Sequence, residues 1–236
     1  MVHVDTAAPR GDAVEAKGVL VDTADIPGGG QLQLVRYGQD YEILFDSEQL
    51  MGSWAHQSEE ALASLVAERL GTRAEQILIG GLGMGFTLSA ALSSFPSTAR
   101  IVVAELVPQV VAWASGPLAS ILGNSLDDPR VSIHIRDVHD VIVEQRARFD
   151  AILLDVDNGP DGMISLANER LYCAWGLRAS YDALRPGGML AVWSAFTDGT
   201  FTKRLQDVGF RVLEFQLATG GSDDDPHHTI WLGARP

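Results

Sequence analysis

The sequence predicts an α/β fold, a doubly wound and mostly parallel sheet with helices on both faces and a small antiparallel β-element at its N-terminal side. Three observations support this prediction. From residue 76 onward short apolar runs alternate with helical segments, which is typical of βαβ units. The first run ends in closely spaced glycines, which suit a tight strand-to-helix turn. Residues 18–56 contain alternating strand patterns separated by Gly-rich breaks, which is typical of a meander.

The chain divides into three predicted segments. Residues 1–17 show no periodicity and are predicted to be a disordered tail, residues 18–56 a small β-domain, and residues 57–236 a Rossmann-like nucleoside-binding catalytic domain. Gly71 is the predicted end of the first helix, which covers residues 58–70. The predicted strands are residues 19–21, 31–36, 41–45, 76–79, 100–104, 131–135, 151–154, 189–193, 211–216 and 229–232, the last two as an antiparallel pair.

Further helices are predicted from Phe86, from Pro108 to about Ala114 and from Thr200 to Val208. The run Arg-Pro-Gly-Gly at residues 185–188 is predicted to be a helix stop before the strand at 189–193.

Composition limits the classes of function. The formal net charge is -14, with 31 acidic residues against 17 Lys and Arg, so a nucleic-acid partner is not expected. The single cysteine, Cys173, favours a reducing cytoplasm, and no apolar run is long enough for a membrane span. We therefore expect a cytoplasmic protein that acts on a small molecule.

The glycines at the first turn indicate a nucleoside site. Gly81, Gly83 and Gly85 let a ligand approach the main chain, and the next helix directs its first N–H groups to the same place. The spacing departs from the dinucleotide fingerprint Gly-x-Gly-x-x-Gly because Phe86 takes the third position, which disfavours an NAD-linked oxidoreductase. Glu105 follows the next strand, where a carboxylate can accept both ribose hydroxyls.

Polar residues follow four consecutive strands of the predicted sheet. In open α/β sheets ligands lie beyond these carboxyl ends. We predict that Asp137 accepts a hydrogen bond from the exocyclic amine of an adenine and that Asp155 faces the reacting end of the ligand. Leu106 and Val138 are predicted to lie on the two faces of the purine. The predicted nucleoside set is Gly81, Gly83, Gly85, Glu105, Leu106, Asp137, Val138 and Asp155.

Asp155 and Asp157 are the predicted catalytic carboxylates. A desolvated carboxylate can orient or deprotonate an amine or hydroxyl as it attacks an electrophilic carbon, and nearby acids stabilise a sulfonium. A calcium loop is disfavoured because Gly159, Pro160 and Leu166 occupy positions where such a loop needs an oxygen ligand, a glycine and a glutamate. We therefore expect no metal.

These residues resemble the spermidine synthase-like branch of the class I S-adenosylmethionine-dependent methyltransferase fold. The resemblance implies a seven-stranded sheet with an antiparallel last strand, and it suggests a homodimer through the N-terminal meander. It extends from Gly18 to the C-terminus. The matching motifs are the glycine turn, Glu105, residues 127–131 leading to Asp137, residues 149–155, Gly159-Pro160, Leu171-Tyr172 and residues 184–188.

The sequence departs from the family at three positions that bear on activity. Aminopropyltransferases carry Gly-Gly-Gly-Asp-Gly-Gly at the turn, and Met84 is assigned here to the position of that aspartate. Of their Tyr-His-Glu run only Glu60 is matched, and the second aspartate of the catalytic loop, Asp157, comes one position early. These differences predict an acceptor pocket that differs from that of the family's aminopropyltransferases.

The predicted function is transfer of the methyl group of S-adenosylmethionine to a nitrogen or oxygen of a small acceptor, which the family resemblance suggests is an amine. The alternative is aminopropyl transfer from decarboxylated S-adenosylmethionine by a spermidine or spermine synthase, and a second alternative is a non-catalytic nucleoside-binding or dimerising module. The residues predicted to contact the acceptor are Trp54, His56, Glu60, Tyr172 and Trp193.

Overall fold

The structure is a computed structural model that describes residues 17–156, 158–160, 168–218 and 227–236. The predicted tail, apart from its last residue, and Asp157 lie outside these residues. Two sheets organise the described chain. The strands are β1 Val19–Asp25, β2 Gln31–Tyr37, β3 Asp40–Phe45, β4 Glu48–Gly52, β5 Gln76–Gly80, β6 Arg100–Glu105, β7 Val131–Ile135, β8 Phe149–Leu154, β9 Leu184–Ser194, β10 Arg211–Ala218 and β11 His227–Ala234.

Helices connect the strands of the larger sheet. The four predicted helices begin close to the predicted residues: Gly71 caps the C-terminus of the first, and the third has a proline at its N-terminus. No bounds were predicted for the other helices, and Asp137 caps one of them. The helices are α1 Gln57–Leu70, α2 Phe86–Ser94, α3 Pro108–Ser115, α4 Ala119–Leu122, α5 Val138–Val143, α6 Glu169–Tyr172, α7 Ala174–Ala183 and α8 Phe201–Val208, with short 3-10 turns at Gly71–Arg73 and Ser125–Asp127.

The larger sheet has seven strands in the order β10-β11-β9-β8-β5-β6-β7. The five strands from β9 to β7 are parallel, and β11 runs antiparallel to both β9 and β10. The predicted fold class, a doubly wound and mostly parallel seven-stranded sheet with an N-terminal antiparallel element, is therefore confirmed.

The central strand β5 is buried on both faces, as its unbroken apolar sequence predicts. Ile77 and Ile79 belong to one apolar core, which also contains Leu62 and Leu88 of α1 and α2. Leu78 belongs to a second core on the opposite face, with Leu177 of α7. This burial fixes the carboxyl end of β5, and the turn that follows it, in the middle of the sheet.

The N-terminal sheet is a meander in the order β1-β2-β3-β4 with every pair antiparallel. Its fourth strand was not predicted, because residues 48–52 lack a clear alternation of apolar and polar side chains. The indole N–H of the buried Trp113 in α3 donates to Asp22 in β1 at 2.7 Å, which ties this sheet to the larger one. That the meander forms a homodimer contact stays a prediction.

One predicted boundary was wrong. The segment at residues 185–188 belongs to β9 and is not a break before it. The register between β8 and β9 shifts between Phe149 and Ala151, and this irregularity accommodates the Pro-Gly-Gly run inside the strand. Within the described residues, no helix combines the length and the apolar character that a membrane crossing requires.

Candidate active site

A cavity lies between the N-terminal sheet and the carboxyl ends of the parallel strands. Its lining brings together residues that are far apart in the sequence: Glu59 from α1, Trp193 from β9, and side chains of β2, β3 and β4. Seven of the eight residues predicted for the nucleoside also line it: Gly81, Gly83, Glu105, Leu106, Asp137, Val138 and Asp155. The eighth, Gly85, instead precedes α2 as its N-cap and packs against Leu122.

Gly81 makes the close approach that the turn requires. Its φ angle is +89°, and a Cβ atom built on it would lie 2.2 Å from the carbonyl oxygen of Asp155. The N–H of Gly81 donates to Ala104 at 2.9 Å, and the N–H of Asp155 donates to Gly80 at 3.0 Å. The ends of β5, β6 and β8 are therefore joined at this turn, and only glycine fits at residue 81.

Glu105 is buried beneath the same turn. Its Oε2 accepts the N–H of Leu82 at 2.8 Å and its Oε1 accepts the N–H of Val107 at 2.8 Å. Burial raises the pKa of Glu105, while the backbone N–H groups counteract part of that rise. The backbone N–H groups of Leu106 and Gly83 also contribute hydrogen bonds to this carboxylate, so a ribose would share Glu105 with the turn.

Asp137 already has partners on both oxygens. Its Oδ1 accepts the N–H of His139 at 2.8 Å, and its Oδ2 is paired with the guanidinium of Arg170. Ligating atoms of Asp137, His139 and Asp140 lie within 4.8 Å of one another, but Arg170 also comes within 3.8 Å of Asp140 and occupies the place of a cation. An adenine amine would share Asp137 with Arg170.

Asp155 and Glu59 form a pair of acids inside the cavity. The hydroxyl of Thr87 lies 2.5 Å from Asp155 Oδ2 and 3.2 Å from the carbonyl oxygen of Glu59, so it connects β8 to α1. Burial raises the pKa of Asp155 to about 6. Burial, and next the negative charge of Asp155, raise the pKa of Glu59 to about 7. Both pKa values lie close to neutral pH, as proton transfer requires.

The hydroxyl of Ser58 also contacts Glu59 and connects it to Trp193 and His228. Its hydroxyl donates to Glu59 Oε2 at 2.5 Å, accepts the indole N–H of Trp193 at 3.0 Å, and lies 2.8 Å from Nδ1 of His228. Burial lowers the pKa of His228 to about 4, so this imidazole is neutral at pH 7. Since the hydroxyl has a single proton, Nδ1 of His228 is the donor whenever Glu59 is ionised.

The structure brings together few of the residues predicted for the acceptor. Trp193 lines the cavity. The ring of Trp54 packs on Gly52, and His56 stacks on Phe86 with ring centroids 4.5 Å apart. Tyr172 is buried in the core, where its hydroxyl donates to the carbonyl of Val156 at 3.2 Å.

Glu60, which was predicted to contact the acceptor, does not line the cavity. Its carboxylate is half-exposed and lies 2.9 Å from His56, whereas the neighbouring Glu59 is 4 % exposed and lines the cavity. A signal for this was in the sequence: Glu59 precedes Leu62, Ala63 and Val66 by three, four and seven residues, so it lies on the buried face of α1.

Met84 does not take the place of the family's aspartate. It is fully buried in the core and is not among the residues that line the cavity. In the ungapped match Gly83 holds the aspartate's position, and Gly83 lines the cavity. A Cβ on Gly83 would lie 2.9 Å from the sulfur of Met51, so a side chain of the N-terminal sheet covers this position.

Comparisons with known proteins point to one group of enzymes. No protein-family profile matches the chain. The polyamine aminopropyltransferase of Nitrosomonas europaea is 31% identical over 133 residues, which are 56% of this chain and 39% of that protein. The chain thus matches about two-fifths of that relative's length.

Solved structures extend the likeness over most of the chain. The spermidine synthase of Thermotoga maritima has a TM-score of 0.72 at 16% identity, and covers 92% of this chain and 72% of its own. A spermidine synthase in complex with the transition-state analogue AdoDATO has a TM-score of 0.71 at 18% identity, with the same coverage. The chain has a spermidine synthase-like fold. At these identities the likeness shows the fold, and it agrees with the resemblance inferred from the glycine turn and strand-end acids.

Replacing Gly81 by Ala is expected to disrupt the turn. The added methyl group would collide with the Asp155 carbonyl, so we expect a loss of at least about 2 kcal/mol in the free energy of unfolding. Urea titration measures this loss. Gly28→Ala is the matched control, because Gly28 has a similar φ of +101° and open space around its Cα. If both variants lost the same amount, backbone strain and not the close approach would explain the effect.

Glu59 should make the unliganded protein less stable as the pH rises. A raised pKa means that the folded chain holds the proton more tightly than the unfolded chain. The stabilisation is complete below pH 4.5 and is lost as the pH rises through about 7. Glu59→Gln should therefore gain about 1–3 kcal/mol in unfolding free energy over the parent at pH 8, and much less at pH 4.5.

Thermal and urea unfolding at both pH values measures this difference. Glu60→Gln is the control, since the half-exposed Glu60 carboxylate lies outside the cavity. An equal gain at pH 8 for both variants would contradict the special position of Glu59.

Proposed function

We propose that this chain transfers an aminopropyl group from decarboxylated S-adenosylmethionine to an amine. The observation that carries the proposal is a pair of buried acids, Glu59 and Asp155. They line the same cavity as the strand-end residues that are predicted to bind a nucleoside. The similarity to polyamine aminopropyltransferases supports it. The methyl transfer favoured by the sequence alone becomes the second candidate.

The strand ends would hold the nucleoside. Leu106 and Val138 offer apolar surfaces for the two faces of a purine, and the ribose hydroxyls would share the Glu105 carboxylate with the backbone N–H groups of the turn. Gly81 and Gly83 line the part of the cavity where the sugar and sulfur would lie. When bound, the donor supplies a carbon made electrophilic by its sulfonium.

The acid pair would bind and activate the acceptor. An amine is an ammonium ion at pH 7, and its positive charge favours the ionised forms of Glu59 and Asp155. One carboxylate then accepts a proton from nitrogen, which frees the lone pair for attack. The new C–N bond forms as the C–S bond breaks, and the electron pair of that bond stays on sulfur as a neutral thioether. Asp155, at the end of β8, holds the nitrogen in line with the donor.

One observation favours methyl transfer. Gly83 and the sulfur of Met51 replace the family's aspartate at the turn, so the amine of an aminopropyl group has no carboxylate at that position. In the aminopropyl proposal that amine must instead be held by Glu59 or Asp155. The two candidates therefore differ in which donor the cavity binds.

Calorimetric titration with the two donors separates the candidates. We expect decarboxylated S-adenosylmethionine to bind more tightly than S-adenosylmethionine. The opposite preference would favour methyl transfer. If neither donor bound, the chain would be a module of another kind and the proposed transferase activity would be contradicted.

Asp155→Asn should separate binding from turnover. Loss of the carboxylate removes a proton acceptor, which typically costs about 10²–10⁴-fold in rate, while the amide keeps the hydrogen bond with Thr87. We expect donor affinity to change only a few-fold. Single-turnover assays and calorimetry measure the two quantities, with Asp207→Asn on the exposed surface of α8 as the control. Equal losses of affinity and rate would contradict a catalytic role.

A further inference from the structure

The N-terminal sheet presents an apolar face to the cavity. Leu32 lies opposite Phe45, and Ile43 lies opposite Met51, so these four side chains share one face of the meander. The register of β3 and β4 shifts beside Leu50, and this bulge allows both Leu50 and Met51 to reach the cavity. We call these five residues the apolar wall.

The carboxylates that line the cavity come from the side opposite the apolar wall. Both oxygens of Glu105 accept backbone N–H groups, and the charge of Asp137 is paired with Arg170. Glu59 and Asp155 are bonded to hydroxyl groups and carry no cation partner in the described part of the chain. Among the described residues that line the cavity, a second ammonium group would therefore lie against apolar side chains or compete with the nucleoside.

The apolar wall reaches the reacting end of the cavity. The sulfur of Met51 covers Gly83, and Gly83 is two residues beyond the Gly81 contact with Asp155. The end of β4 also leads through residues 53–56 into α1, which carries Glu59. An acceptor held by the acid pair would thus extend its body along the wall.

We propose that the acceptor is a primary amine with one ammonium group and an apolar body, and that the apolar wall selects against diamines. This inference rests on the proposed function, because it concerns the acceptor of the same reaction. The ammonium binds between Glu59 and Asp155, and the carbon chain replaces water along β2, β3 and β4.

Two isosteric amines test the proposal. n-Pentylamine and 1,4-diaminobutane have the same length, and they differ in a terminal methyl or ammonium group. An ammonium placed against apolar side chains loses hydration without gaining a partner, so we expect n-pentylamine to bind at least about tenfold more tightly at pH 8. Each further methylene of the monoamine should add about fourfold in affinity until the cavity is filled. A smaller preference, or a preference for the diamine, overturns the proposal.

Variants of the apolar wall sharpen the test. Met51→Glu places a carboxylate opposite the acid pair and should shift the affinity ratio toward the diamine by about tenfold or more. Leu50→Glu provides the same charge from the neighbouring residue if the first variant does not fold. Val19→Glu is the matched control, because Val19 is 54% exposed on β1 and lies outside the cavity lining, so its variant should keep the parent ratio. An unchanged ratio in folded Met51→Glu and Leu50→Glu proteins would contradict a role for the wall.

Binding and turnover distinguish this inference from the proposed function. Amine affinity is measured by calorimetry without donor, and transfer is measured with decarboxylated S-adenosylmethionine. Tight binding of n-pentylamine without transfer to any amine contradicts the proposed function, and with it the role of this amine as acceptor, while the selectivity of the apolar wall stands. Transfer with 1,4-diaminobutane preferred supports the proposed function and overturns the inference.

Discussion

The cavity depends on one buried carboxylate. Glu105 ends β6 and accepts the N–H groups of Leu82 and Val107, so it links the turn after β5 to the beginning of α3. A buried carboxylate is tolerated only when hydrogen bonds replace its hydration, and the backbone supplies them here. The turn held in this way brings Gly81 against the carbonyl of Asp155. Removing the Glu105 side chain would leave the N–H groups of Leu82 and Val107 without these acceptors.

The larger sheet could be predicted because its strands are buried on both faces. A strand that is buried on both faces has an unbroken apolar sequence, as in Ile77–Ile79, and not an alternation of apolar and polar residues. Followed by a glycine turn, this pattern is compatible with few folds besides a parallel α/β sheet. The nucleoside residues come directly after such strands, so strand prediction also placed Glu105, Asp137 and Asp155 at one edge. Chain direction and sheet order were enough for these residues, since Glu105 is the last residue of β6, Asp155 directly follows β8 and Asp137 is two positions beyond β7.

The acceptor residues could not be located in the same way. On a helix, an error of one residue rotates a side chain by about 100°, which separates the half-exposed Glu60 from the buried Glu59. Met51 contacts Gly83 across 32 positions of sequence, and β4, which carries it, has a bulge in place of regular alternation. Contacts of this kind follow from the packing of one sheet on another and leave no pattern in the local sequence. Helix amphipathicity alone would have identified Glu59.

The two sides of the cavity impose different requirements on a ligand. Burial raises the pKa values of Glu59 and Asp155, and among the described residues no cation is paired with either carboxylate. A ligand that brings a positive charge restores their ionisation, so its binding must release protons between about pH 6 and pH 7. His228 cannot supply that charge, because burial holds the pKa of its imidazole near 4, and it contacts Glu59 only through the hydroxyl of Ser58. The acids therefore select for a cation, and the side chains of the meander determine what can be attached to it.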